Sequence, residues 1–400
     1  MTTRHDIVIV GGGLVGASLA LALEPLGFDV AMVEATPPAA LPAVFDQRNL
    51  SLAEATCNAL QALGVWPLLK TAAPIRRIHA SRRGDFGRVV LEAREQGREA
   101  FGHVVIARDF GEALETRLGG LPGLTRYRPA RFIGTQLGED GLREVRISEG
   151  ENERTLRTRL LVGADGMDSA VRGALGIAAR REDYGQVLFV SRVKTSKAPD
   201  GTAWERLGDA GPTALLPRAD RLYGVVHGVA AHEADAVAAL DEAAWLARLQ
   251  DAFGWRAGRF LASGERSRYP ALRVVAERLV APRAVLLGNA AQSIHPVGAQ
   301  GFNLGLRDAL TLVEEIAARG LDDAVMLEGY ASRRDEDRSR TLAFSDGMAR
   351  ATSNDSLPMS WLRSAGMAAL ANVPGLRAQV SAGGMGYRGD VPAMCREARR

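Results

Sequence analysis

Residues 5–10 climb into an unbroken apolar run, Ile7-Val8-Ile9-Val10, that stops at three glycines. A run this short, bounded by glycine, predicts a buried strand. Apolar positions then recur with helical spacing over 14–26, Gly27 closes that helix, and 28–33 is a second β-rich run. Strand, helix and strand in this order predict a parallel pair joined by a crossover helix. Residues 51–63 predict another helix. Residues 75–92 and 186–230 are strand-rich, with turn sequences such as Arg82-Arg83-Gly84-Asp85 and Arg218-Ala219-Asp220 between them. Residues 223–229 alternate as a strand does when one of its sides is solvated or faces a pocket. Residues 234–253 read as helix and 283–287 as a buried strand. Residues 303–319 read as an amphipathic helix with Leu306, Leu310, Val313, Ile316 and Ala317 inward. The last fifty residues predict short helical pieces broken by Pro358, Pro374 and Pro392, with Gly383-Gly384 between them.

Apolar strands of the parallel type near residues 6, 29, 160 and 285 therefore alternate with hairpin-like ones. The expected fold is α/β: a Rossmann-type nucleotide-binding domain (1–74, 102–185 and 275–345) interleaved with an antiparallel-sheet substrate domain (75–101 and 186–274). A C-terminal helical segment (346–400) follows. The chain's 400 residues suffice for two such bodies, and no fixed-period repeat is present.

Composition narrows the function classes. Apolar residues make up 46% and charged residues 24%, ordinary for a soluble globular chain. The net charge of +3 is mild and almost all arginine, since the only lysines are Lys70, Lys194 and Lys197. No basic stripe or set of stacking aromatics accompanies it, which argues against nucleic acid as a partner. Cys57 and Cys395 lack CxxC or metal-ligand spacing and read as reduced thiols, so no metal is expected. No apolar run reaches eighteen residues and no signal peptide is visible, so a cytoplasmic location is expected.

Three motifs carry chemistry. The first is Gly11-Gly12-Gly13-Leu14-Val15-Gly16, a GxGxxG between strand and helix. Gly11 permits the turn, Gly13 lets a pyrophosphate approach the backbone, and Gly16 lets helix and strand pack closely. The helix N-terminus offers free N–H groups to phosphate. Glu34, 18 residues after Gly16, ends the second strand, where a carboxylate accepts hydrogen bonds from a ribose diol. Together these predict an adenine dinucleotide without separating FAD from NAD. The second motif is Leu160-Leu161-Val162-Gly163-Ala164-Asp165-Gly166, a buried strand delivering Asp165 and Gly166 to the sheet's carboxyl edge. An Asp-Gly turn without a ligand is its equal alternative.

The third motif runs from Val285 to Gly305. Its strand ends at Gly288-Asn289, a loop follows with Pro296, Gly298, Gln300, Gly301 and Phe302, and a helix is expected to begin at about Asn303. Such a loop can bring backbone N–H groups against a flat ring, with the helix dipole aimed at a developing negative charge.

In this order and at these distances the motifs resemble the FAD-dependent aromatic hydroxylase family, of which p-hydroxybenzoate hydroxylase gives the fold, and within it the ubiquinone-biosynthesis branch of prenylated methoxyphenol hydroxylases. The run GNAAQSIHPVGAQGFNLGLRDA carries that resemblance, with Phe45-Asp46-Gln47-Arg48 and Phe253-Gly254-Trp255-Arg256. The resemblance implies that Gly11, Gly13, Gly16 and Glu34 bind the ADP part of FAD and that Arg48 reaches the pyrophosphate or flavin. It places Asp165 and Gly166 near FAD and the nicotinamide donor. Gly288, Asn289 and the loop Pro296, Gly298, Gln300, Gly301, Phe302 and Asn303 would line the ribityl chain and isoalloxazine. Most of the family has Asp at the place of Asn289, and many members have His at Gln292 and Asn at His295.

The implied reaction uses NAD(P)H to reduce FAD, O2 addition at flavin carbon 4a, and transfer of one oxygen atom to a phenolic ring, with a hydrogen-bond acceptor near the phenol oxygen assisting. His295 is a candidate for a substrate or proton role, with a structural hydrogen bond as its alternative. Leu215, Pro217, Tyr223 and Val225 share a parity and are candidates for the pocket, with core packing as theirs. A prenylated phenol as substrate implies an apolar tunnel, peripheral contact with the inner face of a membrane, and membership of a ubiquinone-biosynthesis complex. Residues 359–376 offer an amphipathic surface for such contact, or else a helix packed on the fold. The competing functions are a hydroxylase of a small soluble phenol, an FAD dehydrogenase that does not activate O2, and a non-catalytic FAD-holding scaffold.

Overall fold

The computed structural model describes residues 2–396 apart from 39, 44 and 355. Its first sheet has a parallel core in the spatial order Ala284–Leu286, Asn152–Gly163, Thr2–Val10, Val30–Val33 and Leu124–Tyr127. Four of these strands are legible as apolar runs. The fifth, Leu-Thr-Arg-Tyr at the sheet's edge, is only partly buried, so its pattern gives no such signal. The register sets Ile7 beside Leu160 and Val30, and Val162 beside Ile9 and Val285. The carboxyl ends of the central strands, which carry the first two motifs, therefore lie at one edge.

The second sheet runs in the order Gln292–Ser293, Ser267–Ala276, Ala179–Thr195, Tyr223–Ala230, Gly211–Pro217, Thr202–Gly208, Arg77–Arg82 and Val89–Glu92. It is antiparallel except where Thr202–Gly208 lies parallel to Arg77–Arg82. Its long strand Ala179–Thr195 begins inside the interval expected to belong to the nucleotide-binding part.

The two faces of this sheet differ. On the outer face Phe189, Val193, Leu215, Tyr223 and Val225 pack beneath the helix Glu242–Phe253, against Trp245, Leu249 and Phe253. On the inner face Ile78, Ala80, Ala203 and Leu216 cluster with Met367, Leu370 and Met385 of the C-terminal segment. A Cβ on Gly224 would lie 1.6 Å from Asn49 Nδ2, so the inner face meets the nucleotide-binding side directly.

Several elements depart from the sequence reading, each for a local reason. Residues 49–53 form a strand paired with Gly102–Ile106, and the helix covers only Glu54–Ala62. The expected helix over 234–253 is interrupted before Asp241, whose carboxylate accepts from Ala244 N at 2.8 Å and starts Glu242–Phe253. Pro358 and Pro374 open the helices Leu357–Asn372 and Pro374–Gly384 instead of breaking them, because a first-turn residue needs no N–H. These follow a 27-residue helix, Met326–Thr352. The helix after the third motif begins at Gly301, two residues early, and Ala317 on it is exposed, while Leu306, Leu310, Val313 and Ile316 are buried as expected.

Candidate active site

The glycine turn is shaped by the absence of side chains. Gly11 has φ +106°, and a Cβ there would lie 2.4 Å from Ala164 O; one on Gly16 would lie 2.0 Å from Gly11 O. Strand end, turn and helix can close only with glycine at both places. Gly13 is the N-cap of the helix Leu14–Leu23 and supplies no side-chain cap, which leaves first-turn N–H groups for an anion. Glu34 leans over this turn. Its Oε2 accepts from Gly12 N at 2.8 Å and its Oε1 from Thr36 N at 2.7 Å, fixing the carboxylate beside the loop.

The contact of Gly11 with Ala164 brings the second motif to the first. Gly166 has φ +87°. Asp165 has both oxygens engaged, by Ser169 Oγ at 2.5 Å and Val171 N at 3.0 Å, so it shapes the turn into the short helix Ala170–Ala174. Arg172, which the sequence reading passed over, ties this motif to the third: its guanidinium donates to Ala290 O and Met167 O, both at 2.9 Å.

The third motif packs on the first through Val15. Cβ atoms at Gly288 and Gly305 would lie 2.9 and 2.8 Å from Val15 Cγ2, so the helices Leu14–Leu23 and Gly301–Arg319 approach backbone to side chain. Gly301–Arg319 also lacks a side-chain cap. Two uncapped helix N-termini thus belong to one packed unit. Gly288 has φ +55°, while Asn289, Pro296 and Gly298 are exposed. Gln300 Nε2 donates to Gly298 O at 3.1 Å and Gly384 O at 3.4 Å, and Phe302 packs edge-on against Phe110.

Asn303 is a clip inside the first turn, 1% exposed. Its Oδ1 accepts from Ala53 N (2.9 Å) and Thr56 Oγ1 (2.7 Å), and its Nδ2 donates to Ser51 O (3.0 Å) and Ala299 O (2.8 Å). His295 is likewise committed: Nδ1 accepts from Val297 N and Nε2 donates to Gln186 Oε1, both at 3.2 Å, with Tyr184 edge-on. Burial pushes its pKa down to about 4, so it is neutral near pH 7.

Arg48 is held away from a simple phosphate contact. Its guanidinium pairs with Asp46 at 2.7 Å, donates to Tyr269 Oη at 2.9 Å and stacks 4.3 Å over the Tyr269 ring. Burial raises the Asp46 carboxyl, but the bonds from Arg48 and Tyr269 outweigh it and hold that carboxyl below its ordinary range.

The pocket candidates need correction. Leu215, Pro217, Tyr223 and Val225 do share a face, but the register places it under Glu242–Phe253, away from the three motifs. Alternation predicts which residues face together and not which side a later helix covers.

Beneath the third motif lies a buried ionic cluster that the sequence reading missed. Asp308 accepts from Arg334 (2.8 Å) and Gln292 (2.6 Å), and Asp337 accepts from Arg307 and Arg334. Its signal was the charged pair Arg307-Asp308 set between Leu306 and Leu310 on a buried helix face.

The chain resembles known proteins over most of its length. The family described as FAD binding domain matches residues 4–345. A ubiquinone hydroxylase, UbiL, of Rhodospirillum rubrum is 35% identical over 372 residues, 91% of this chain and 86% of its own. The 3-demethoxyubiquinol 3-hydroxylase of Escherichia coli is 30% identical, covering 91% and 94%. Among solved structures, p-nitrophenol 4-monooxygenase PnpA of Pseudomonas putida superposes with a TM-score of 0.79 at 18% identity, covering 97% of this chain and 99% of its own. The side-chain-free turn at Gly11–Gly16, the carboxylate beside it and the second uncapped helix fit FAD. The chain belongs to the family of FAD-dependent aromatic hydroxylases.

Proposed function

We propose that this enzyme hydroxylates the aromatic ring of a prenylated phenol in ubiquinone biosynthesis, of the 2-polyprenyl-6-methoxyphenol type. The observation that carries this reading is the 35% identity to UbiL across 91% of the chain. NAD(P)H is the electron donor, and bound FAD supplies electron transfer and O2 activation. Gly11, Gly13, Gly16 and Glu34 hold the ADP part. Gly288, Asn289 and the loop from Pro296 to Asn303 hold the ribityl chain and ring, and the N–H groups at the start of Gly301–Arg319 favour negative charge on the ring edge. Arg48, fixed by Asp46, faces FAD as a preset cation. Asp165 and Gly166 shape the loop by which the donor approaches.

A polyprenyl tail needs an apolar way in. The C-terminal helices cover the inner face of the antiparallel sheet through Met367 and Leu370, while their outer side presents Leu357, Trp361 (77% exposed) and Leu362. Phe86, 85% exposed, joins them, its backbone N–H bonded to Ser364 Oγ. Apolar side chains so clustered favour peripheral contact with a lipid surface, at the membrane's inner face and in reach of a biosynthetic complex. Among the described residues no helix is long and apolar enough to cross a membrane.

The deciding experiment is complementation of ubiquinone-deficient strains, each lacking one ring hydroxylase, with identification of the intermediate that accumulates. Rescue of one strain supports the reading. Rescue of none, with hydroxylation of small phenols by purified enzyme, replaces the substrate; FAD retention with no phenol-stimulated NAD(P)H oxidation ends the reading. Co-sedimentation with anionic liposomes, lost in Trp361→Ser with Leu362→Ser, tests the surface contact.

A further inference from the structure

One acid on the inner face of the antiparallel sheet is unanswered. Glu205 stands on Thr202–Gly208, in register with Ala80 on one side and Ala214 on the other, and Ala214 is in turn opposite Val226. Ala203, Ala80 and Leu216 of the same face belong to the cluster with Met367 and Met385, so Glu205 points the same way and not toward Glu242–Phe253. Its flanking alanines leave the carboxylate standing clear of the strands. Its oxygens have neither a hydrogen bond nor an ion pair within the described residues. The side chain is half-buried on this face.

Its neighbours on the strand lead toward the third motif. Two residues one way, Ala203 meets Met385, which follows Gly384, the acceptor of the Gln300 amide from the flavin loop. Two residues the other way, Leu207 pairs with Arg82, which donates to Thr352 O at the end of Met326–Thr352. That same helix contacts the loop through Ser345 Oγ, which donates to His295 O, and through Phe344, which lies against Gly298. Glu205 therefore stands on the sheet face whose neighbours lead to the loop of the third motif.

Arg388, three residues after Met385, lies 5.0 Å over the Phe344 ring, and three arginines on the surrounding elements are engaged elsewhere. Arg82 binds Asp85 and Asp209, Arg363 of Leu357–Asn372 binds Asp85, and Arg218 binds Asp220 and Asn49. An uncompensated buried carboxylate costs stability, and such groups gather at functional sites.

We propose that Glu205 is a catalytic residue that takes the hydroxyl proton of the phenol substrate. The proposal rests on the reading of this enzyme as a phenol hydroxylase. The phenol O–H bond breaks, the proton moves to a Glu205 carboxylate oxygen, and the bonding pair stays on the phenol oxygen. No electrons are transferred in this step. The ring carbons ortho and para to that oxygen become more electron-rich and more reactive toward the oxygen atom delivered to them, and Glu205 returns its proton to the product. Burial raises the carboxyl to about 7, which suits a base working near neutrality.

The test uses the full-length, FAD-loaded enzyme and a 2-methoxyphenol carrying a short isoprenyl chain. Hydroxylation kcat/KM is followed across the neutral range for wild type, Glu205→Gln, Glu205→Asp and Glu205→Leu, with FAD content measured for each. Wild type should rise with pH through a midpoint near 7, because only the ionised carboxylate accepts a proton. Glu205→Gln should lose that limb and about 100-fold in kcat/KM, the lower end of general-base effects. Glu205→Asp should restore the limb, and Glu205→Leu should behave like the Gln variant if the latter fails to hold FAD. A limb that survives in Glu205→Gln, or a loss under about threefold, overturns the proposal while leaving the hydroxylase reading intact. A wild type that hydroxylates no phenol removes both.

Discussion

Two sets of buried charge in this molecule behave in opposite ways. Beneath the flavin loop, Arg307, Asp308, Arg334 and Asp337 are at most 2% exposed and answer one another at 2.7–3.1 Å. On the inner face of the antiparallel sheet Glu205 has no partner among the described residues. Matched charges lock the helices Gly301–Arg319 and Met326–Thr352 to each other and so fix where the loop from Pro296 to Gly301 sits. An unmatched charge fixes nothing and is free to exchange a proton. The difference separates positioning from chemistry more clearly than burial alone.

The comparison breaks most visibly at Asp337. Burial raises its carboxyl, but Arg307 and Arg334 outweigh this and hold it below the ordinary range. Its stabilising contribution is therefore present above the ordinary carboxylate pKa and is lost as pH falls through the lowered value. Asp337→Ala leaves Arg307 and Arg334 buried without their counter-ion and should cost about 3–5 kcal/mol, read as a lower denaturant midpoint with loss of bound FAD. A cost below about 1 kcal/mol would mean the cluster is not what holds these helices.

Asn303 extends the matched class to a neutral group. Asn303→Ala strands Ala53 N–H and frees Ala299 O, and should cost about 1–3 kcal/mol. FAD should leave about tenfold faster, measured by flavin fluorescence on dilution, because the loop loses its clip to residues 51–56. An unchanged release rate would detach the clip from cofactor binding.

Glu205 should answer in the opposite direction. Its folded pKa of about 7 lies above the ordinary 4.5. Below 4.5 the native and unfolded states are both protonated; between 4.5 and 7 the native state holds the extra proton, so this relative advantage is lost as pH rises through 7. Glu205→Gln removes the cost of the lone charge and should stabilise the protein by about 1–2 kcal/mol above pH 7, with little change in acid. Equal or lower stability of the Gln variant at alkaline pH would show that a partner compensates the carboxylate.

Why some of this was legible in the sequence and some not follows from where the information sits. Gly11, Gly16 and Gly166 act through local backbone geometry, which a short run of residues specifies. The parallel strands at Ile7, Val30, Leu161 and Val285 are buried on both faces, and a buried strand reads as an apolar run. By contrast, the side of Leu215 and Val225 depends on where the helix Glu242–Phe253 lands, and the isolation of Glu205 depends on eight other strands of its sheet and a C-terminal segment far along the chain. Arg172 and Asp308 were hidden for a related reason: an arginine or aspartate in a helix reads as solvated until the fold buries it. His295 was visible as the histidine of the loop, but its two committed nitrogens are a tertiary fact.

The smallest expected effect separates the two proton-active classes. His295 and His227 are both held neutral, lowered by burial to about 4 from an ordinary 6.5, with Arg248 also acting on His227. Between those values the unfolded chain binds protons that the native state refuses, so stability rises with pH across the window. It is fully present above about 6.5 and is lost as pH falls toward about 4. His295→Gln keeps a donor and an acceptor in a similar volume and should change stability at pH 7 by only a fraction of a kcal/mol, while flattening the fall between about 6.5 and 4. Since His295 does not titrate near 7, the same variant should leave the rising limb of hydroxylation where the wild type has it. A midpoint that moves in His295→Gln would assign the limb to the flavin loop and take it from Glu205, and the contrast between committed and uncommitted buried groups would fail at the place where it matters most for the reaction.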